Sequence, residues 1–111
     1  MALTAFATVS PVRSLYAADR DYAELLGVFS DRLPRLRAEI ETAWHGADLA
    51  ELALLAQQLH KTASDYGFPE LAAAAASVWQ LLRDNPLADV GTAYTSLLEQ
   101  VRRVQVGFAL G

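Results

Sequence analysis

From Tyr22 onward, apolar residues recur at steps of three and four. Tyr22, Leu25, Phe29, Leu33, Leu36, Ile40 and Trp44 form one such stripe. It predicts an amphipathic helix over about Asp21 to Trp44, with Asp19 as its N-cap. Pro34 lies inside the stripe. It removes one backbone donor, but the stripe continues on both sides, so a kink is expected rather than a break.

His45-Gly46-Ala47 reads as a turn. Asp48 then caps a second helix, with Glu51 three residues on to complete a capping box. Leu52, Ala56, Leu59, Ala63 and Tyr66 face the core. Gly67 stands where a helix usually ends on a left-handed residue, and Pro69 suits the first turn of the next helix. That third helix, about Pro69 to Arg83, carries five consecutive alanines, Ala72 to Ala76. They let a neighbouring helix come close, while Leu71, Val78, Leu81 and Leu82 supply packing volume. Asp84-Asn85-Pro86 breaks it. A fourth helix, about Asp89 to Phe108, shows Val90, Tyr94, Leu97, Leu98, Val101, Val104 and Phe108. Trp44 and Trp79 are assigned to core packing, and a short helix near Pro11 to Ala18 is expected to cap one end. Strand signals are nearly absent. The pattern predicts an all-α fold: an antiparallel, up-and-down four-helix bundle with a short extra N-terminal helix. Residues 1–10 read as an N-terminal tail and 11–108 as the bundle domain.

Composition narrows the function classes. At 111 residues the chain is about one domain, and its apolar share of 53% is ample for one core. Net charge is −4, and no basic cluster exceeds Arg102-Arg103. Phosphate contacts and acidic membrane surfaces both call for a basic footprint, so neither nucleic acid nor membrane is expected as a partner. No apolar run approaches the roughly 18 residues needed to cross a bilayer. MALTAFATVSP lacks the basic start of a signal peptide, so a cytoplasmic protein is expected. The chain has no cysteine, hence no disulfide, thiolate ligand or cysteine nucleophile. His45 and His60 fall in no HxxxH or HExxH pattern, so no metal is expected. Ser64-Asp65 has no histidine at a helpful spacing, and there is no glycine-rich phosphate loop. No cofactor is implied, and the chain is not read as an enzyme. Glu39, Glu41 and Glu51 read as solvent-facing helix charges.

The remaining chemistry lies on the outer face of the second helix. With Leu52 at the centre of the buried stripe and about 100° per residue, Gln57, Lys61 and Ser64 point outward and His60 sits on the flank. Leu54 and Gln58 form the other margin. The plain reading is a solvated polar face. The sharper one starts from His60, because a neutral imidazole is a nucleophile toward phosphorus and Lys61 could stabilise phosphoryl oxygens.

Several segments carry a family resemblance, covering about Pro11 to Arg103. SPVRSLYAADRDYAELLGVFSDRLPRLRAEIETAW contains F-x-x-x-L-P, here Phe29 to Pro34. GADLAELALLAQQL leads into AQQLHKTASDYGF. These stretches resemble the histidine-containing phosphotransfer (HPt) domains of bacterial two-component phosphorelays. The family reads A-H-x-L-K-G, followed after five further residues by Gly and often Phe. Registered without a gap on Ala56, Leu59, Gly67 and Phe68, the resemblance puts the phospho-accepting histidine on Gln57, the helper lysine on His60 and the small glycine on Lys61. It implies a degenerate HPt domain that keeps the scaffold and lacks the usual phosphohistidine. Such a module would dock a response-regulator receiver domain or a histidine kinase through Leu54, Gln57, Gln58, His60, Lys61 and Ser64, as a monomer or weak dimer. Two alternatives stand beside it. One is an active phosphotransfer protein with His60 as a displaced phosphoacceptor, since positions three apart share a helix face. The other is a helical dimerisation module without a signalling role.

Overall fold

A computed structural model describes residues 10–84 and 89–110. The tail before Ser10, and Asn85-Pro86 of the expected break, lie outside the described residues.

Four helices account for the fold: α1 (Arg20–His45), α2 (Leu49–Asp65), α3 (Pro69–Asp84) and α4 (Val90–Ala109). No strand occurs among the described residues. Each helix packs on two others: α2 on α1 and α3, and α4 on α1 and α3. The backbones of the diagonal pairs, α1 with α3 and α2 with α4, do not approach closely among the described residues. The most extensive contact joins α2 and α3. There Ala72 and Ala75 are buried and leave room for the neighbouring helix, as the alanine run predicts.

The core follows the helical period. Leu33, Ile40, Leu52, Leu59, Leu71, Val78, Leu97, Val101 and Val104 are at most 1% exposed. Each contributes roughly 1.5–3 kcal/mol by leaving water. At one end Phe29 meets Tyr66, Phe68 and Phe108, with ring centroids 5.6, 5.5 and 6.2 Å away. At the other, Trp44 stacks on Tyr94 at 4.3 Å. Along α1 the stripe runs through Leu26 rather than Leu25, which is 44% exposed. Two adjacent leucines 100° apart compete for the seam, and Leu26 is the one nearer the line of Phe29 and Leu33. Pro34 is exposed and α1 runs through it as one helix of 26 residues.

The caps explain where the helices start. Asp19 accepts from the Asp21 N–H at 2.9 Å and Asp48 from the Glu51 N–H at 3.1 Å. Only half of the expected capping box forms, because the Asp48 N–H donates to the Ala43 carbonyl instead. Asp89 accepts from the Thr92 hydroxyl at 2.7 Å and from the Thr92 N–H at 3.3 Å, and these bonds hold its carboxyl below the usual range. Glu39 and Glu41 pair with Arg35 and Arg37 one turn earlier, at 3.4 and 2.8 Å.

The expected helix over Pro11 to Ala18 does not form. This segment is an extended strap with a turn at 15–18. Its amides have other partners: Val12 N–H donates to the Arg103 carbonyl (3.0 Å) and Leu15 N–H to the Gly67 carbonyl (2.8 Å). The Ser14 hydroxyl donates to the Tyr66 carbonyl. The strap therefore joins the end of α2 to the last turns of α4. It crosses α4 at Gly107, where an added Cβ would run into the Val12 carbonyl oxygen and lie 2.8 Å from its carbon.

Two stability outcomes follow from this backbone. Alanine at a helix interior ordinarily gains about 1 kcal/mol over glycine. Gly107→Ala is expected to lose about 1–3 kcal/mol in urea unfolding, because the strap must shift; a gain in stability would mean that the close approach is not real. The turn after α1 shows the reverse case. Its left-handed residue is Ala47 (φ 55°), while Gly46 has φ −82°. Ala47→Gly should raise stability by about 1 kcal/mol, and an unchanged urea midpoint would refute this.

Candidate functional site

The candidate face is built on α2 between its Asp48 cap and Gly67. Ala56, Leu59 and Ala63 anchor it in the core at no more than 1% exposure. Gly67 ends the helix with φ 82°, a conformation that favours glycine. A Cβ there would also meet the Ser14 hydroxyl oxygen at 2.7 Å, so the strap fits only against glycine. Phe68 follows, buried, with its N–H on the Ala63 carbonyl at 2.8 Å.

With the buried side fixed in this way, Gln57, Gln58, Lys61 and Ser64 are exposed, and Leu54 is 48% exposed. All six residues expected on this face reach its surface to some degree, and His60 is the half-buried one. A shallow groove of about 520 Å³ brings together Gln57, Gln58, His60, Lys61, Ser64, Asp65 and Trp79. Leu54 stands outside it, one turn before Gln58. Lys61 has no ion pair among the described residues.

His60 is held by α3. Its Nδ1 lies 3.0 Å from the Ala72 carbonyl oxygen. A carbonyl only accepts, so Nδ1 carries the hydrogen and the neutral ring keeps its lone pair on Nε2. The small side chain of Ala72 and the close α2–α3 packing bring that carbonyl within reach. The imidazole thus serves as a link between helices and keeps one basic nitrogen free.

Trp79 packs against the core as its stripe predicts, but it is half-buried and also lines the groove. Val78, one residue earlier, takes the fully buried place. A residue 100° from a buried position lies at the margin of a helix, so the spacing carries a signal for this placement. The Arg83 guanidinium sits over the Trp79 ring, 4.7 Å from its centroid. Asp84 holds Arg83 by two hydrogen bonds, 2.8 and 3.2 Å. Those bonds raise the Arg83 pKa and lower that of Asp84.

Nothing in the groove gathers an acid, a base and an electrophile at one point. No group of three or more His, Cys, Asp or Glu side chains is placed to hold a metal among the described residues. No helix there is long and apolar enough to cross a membrane.

A family model for the Hpt domain matches residues 24–107. The chain belongs to the Hpt domain family. No curated protein and no solved structure matches it. Hpt domains are signalling modules of phosphorelays. They carry phosphoryl groups rather than act as enzymes proper, and they interact with receiver domains and kinases. In this Hpt domain the match runs from within α1 to the strap crossing on α4, so it includes the whole of α2 and its groove.

The His60 geometry has a direct spectroscopic consequence. Long-range ¹⁵N–¹H correlation is expected to show the neutral ring as the Nδ1–H tautomer, the less common form in free histidine. Finding Nε2–H instead would break the proposed link to Ala72.

Proposed function

We propose that this Hpt domain is a docking module that lacks the usual phosphoacceptor. In the gapless register, Gln57 occupies the phosphohistidine position. The observation that carries the reading is the contrast between the two sides of α2. Ala56, Leu59, Ala63, Gly67 and Phe68 are buried as a scaffold, while the exposed position between them holds an amide. The glutamine nitrogen is conjugated with its carbonyl and is not a nucleophile, so it does not take a phosphoryl group. Its neutral polar end still occupies the space of an unphosphorylated imidazole. Lys61, at the small-glycine position, presents a cation to the acidic pocket of a receiver domain.

We read the bundle as antiparallel and up-and-down, since only a few residues join α1 to α2 and α2 to α3. We read residues 11–108 as one domain, cytoplasmic, and a monomer or weak dimer. Docking without acceptance makes it an adaptor or competitor for a receiver domain or histidine kinase.

One observation favours a second reading, phosphoryl acceptance by His60. The Ala72 bond leaves its Nε2 lone pair available. Attack on an aspartyl phosphate would form the N–P bond, break the P–O bond and release the carboxylate. Against this stands the angular offset of His60 from the centre of the exposed face, because in-line transfer tolerates little misplacement.

One experiment separates the two. The chain is incubated with phosphorylated receiver domains, and acid-labile label is read by intact mass beside His60→Gln. Receiver binding without label supports the docking module. Label in the parent that vanishes in His60→Gln would replace it with the displaced acceptor. Neither label nor receiver binding would leave the dimerisation reading.

A further inference from the structure

We infer that Trp79, steadied by Arg83, is the aromatic anchor of the docking surface for a receiver domain. The inference rests on the docking reading above and extends the surface from α2 onto α3.

Three features single out this residue. First, Trp79 is half-buried and packs on the core, so its position is set before any partner arrives. A ring already fixed in place loses little conformational freedom on binding. Second, it lines the same groove as Gln57, His60, Lys61 and Ser64. The groove therefore has an apolar wall on α3 facing a polar wall on α2. That mixture of an aromatic ring, a guanidinium and surrounding polar groups is what binding-energy centres are made of. Third, neighbouring groups hold the ring in place. Arg83 lies over the Trp79 ring at 4.7 Å, and its fork is tied to Asp84 at 2.8 and 3.2 Å. The His60–Ala72 bond ties α2 to α3 beside the groove.

The family match points to the occupant, since Hpt domains interact with receiver domains. Lys61 is exposed and has no ion pair among the described residues, whereas Arg83 is paired with Asp84. Lys61 and Asp65 both line the groove and neither has an ion pair among the described residues, so its α2 wall carries one cation and, one turn on, one anion. A receiver domain offers an acidic pocket to Lys61, and its rim then falls on Trp79.

The test uses the full chain and a panel of receiver domains, with affinity measured by calorimetry. Trp79→Ala is expected to raise Kd at least tenfold for the receiver that binds the parent, with the helical circular dichroism retained. An unchanged Kd would overturn the inference and leave the docking reading standing. If the parent binds no receiver, the docking reading fails and the anchor fails with it. Because Trp79→Ala also removes core contacts, a second measurement avoids that substitution. The chain has two tryptophans, so Trp44→Phe leaves Trp79 as the only indole fluorophore. Receiver titration should shift its emission to the blue and protect it from iodide quenching. Binding with unchanged emission and quenching would place the receiver elsewhere.

Discussion

Gly67 turns left-handed at the end of α2, and the carbonyls released there point toward the N-terminal strap. Leu15 takes the Gly67 carbonyl and Ser14 takes that of Tyr66. Helix ends leave several backbone acceptors unsatisfied, so this contact is a cap supplied by a distant part of the chain. It has two consequences. It fixes where α2 stops and therefore which residues form its outward face. It also places Phe68 beneath Phe29 and Phe108, where one aromatic cluster binds α1, the α2–α3 turn and α4 together. The strap can run this way only because Gly67 and Gly107 have no side chains in its path.

The site is best understood as the part of this framework that faces water. Burial of Leu52, Ala56, Leu59 and Ala63 leaves no rotational choice for α2. Gln57 and Lys61 are thereby exposed, whatever their own preferences. His60 is the exception, since it stands between the two environments. Its ring bridges to the Ala72 backbone, and the alanine run in α3 makes that approach possible. The Hpt match spans this framework, but a family match does not determine what each outward side chain does.

Much of this was legible in the chain. Phe29, Leu33 and Ile40 repeat at helical spacing, and burial leaves few other places for them. The same holds for Leu52, Leu59, Val101 and Val104. Asp19, Asp48 and Asp89 cap as their positions suggest, because capping is local. The misreadings involve tertiary competition. Leu25 and Leu26 are equivalent by composition, and only packing chooses between them. Trp79 packs on the core as its spacing predicts, and only the packing of α2 on α3 brings it to the groove as well. The segment around Ser14 has helical composition, but its amides are claimed by Gly67 and Arg103, far away in sequence. The link from His60 to Ala72 depends on the distance between two helices, which spacing along one helix does not encode. The outward positions of Leu54, Gln57, Gln58, Lys61 and Ser64 were legible for the opposite reason: they follow from the rotation of a single helix.

The strap also sets long-range closure beside local closure. The α2–α3 turn closes over a handful of residues, so that helix pair finds its partner locally. The Ser14–Tyr66 bond spans 52 residues, and the bond from Arg103 to the Ser10 carbonyl spans 93. Long loops cost more entropy to close, and contacts of this kind slow a folding chain. Pairing α2 with α3 is thus the cheapest closure in entropy, and sealing by the strap costs more. The seal is made of a few hydrogen bonds on a surface segment, so it is also the part that opens with least cost. The candidate face hangs from the end of α2 that this seal holds. A fluctuation at the N-terminal segment therefore reaches the groove through Tyr66 and Gly67, without the core having to unfold.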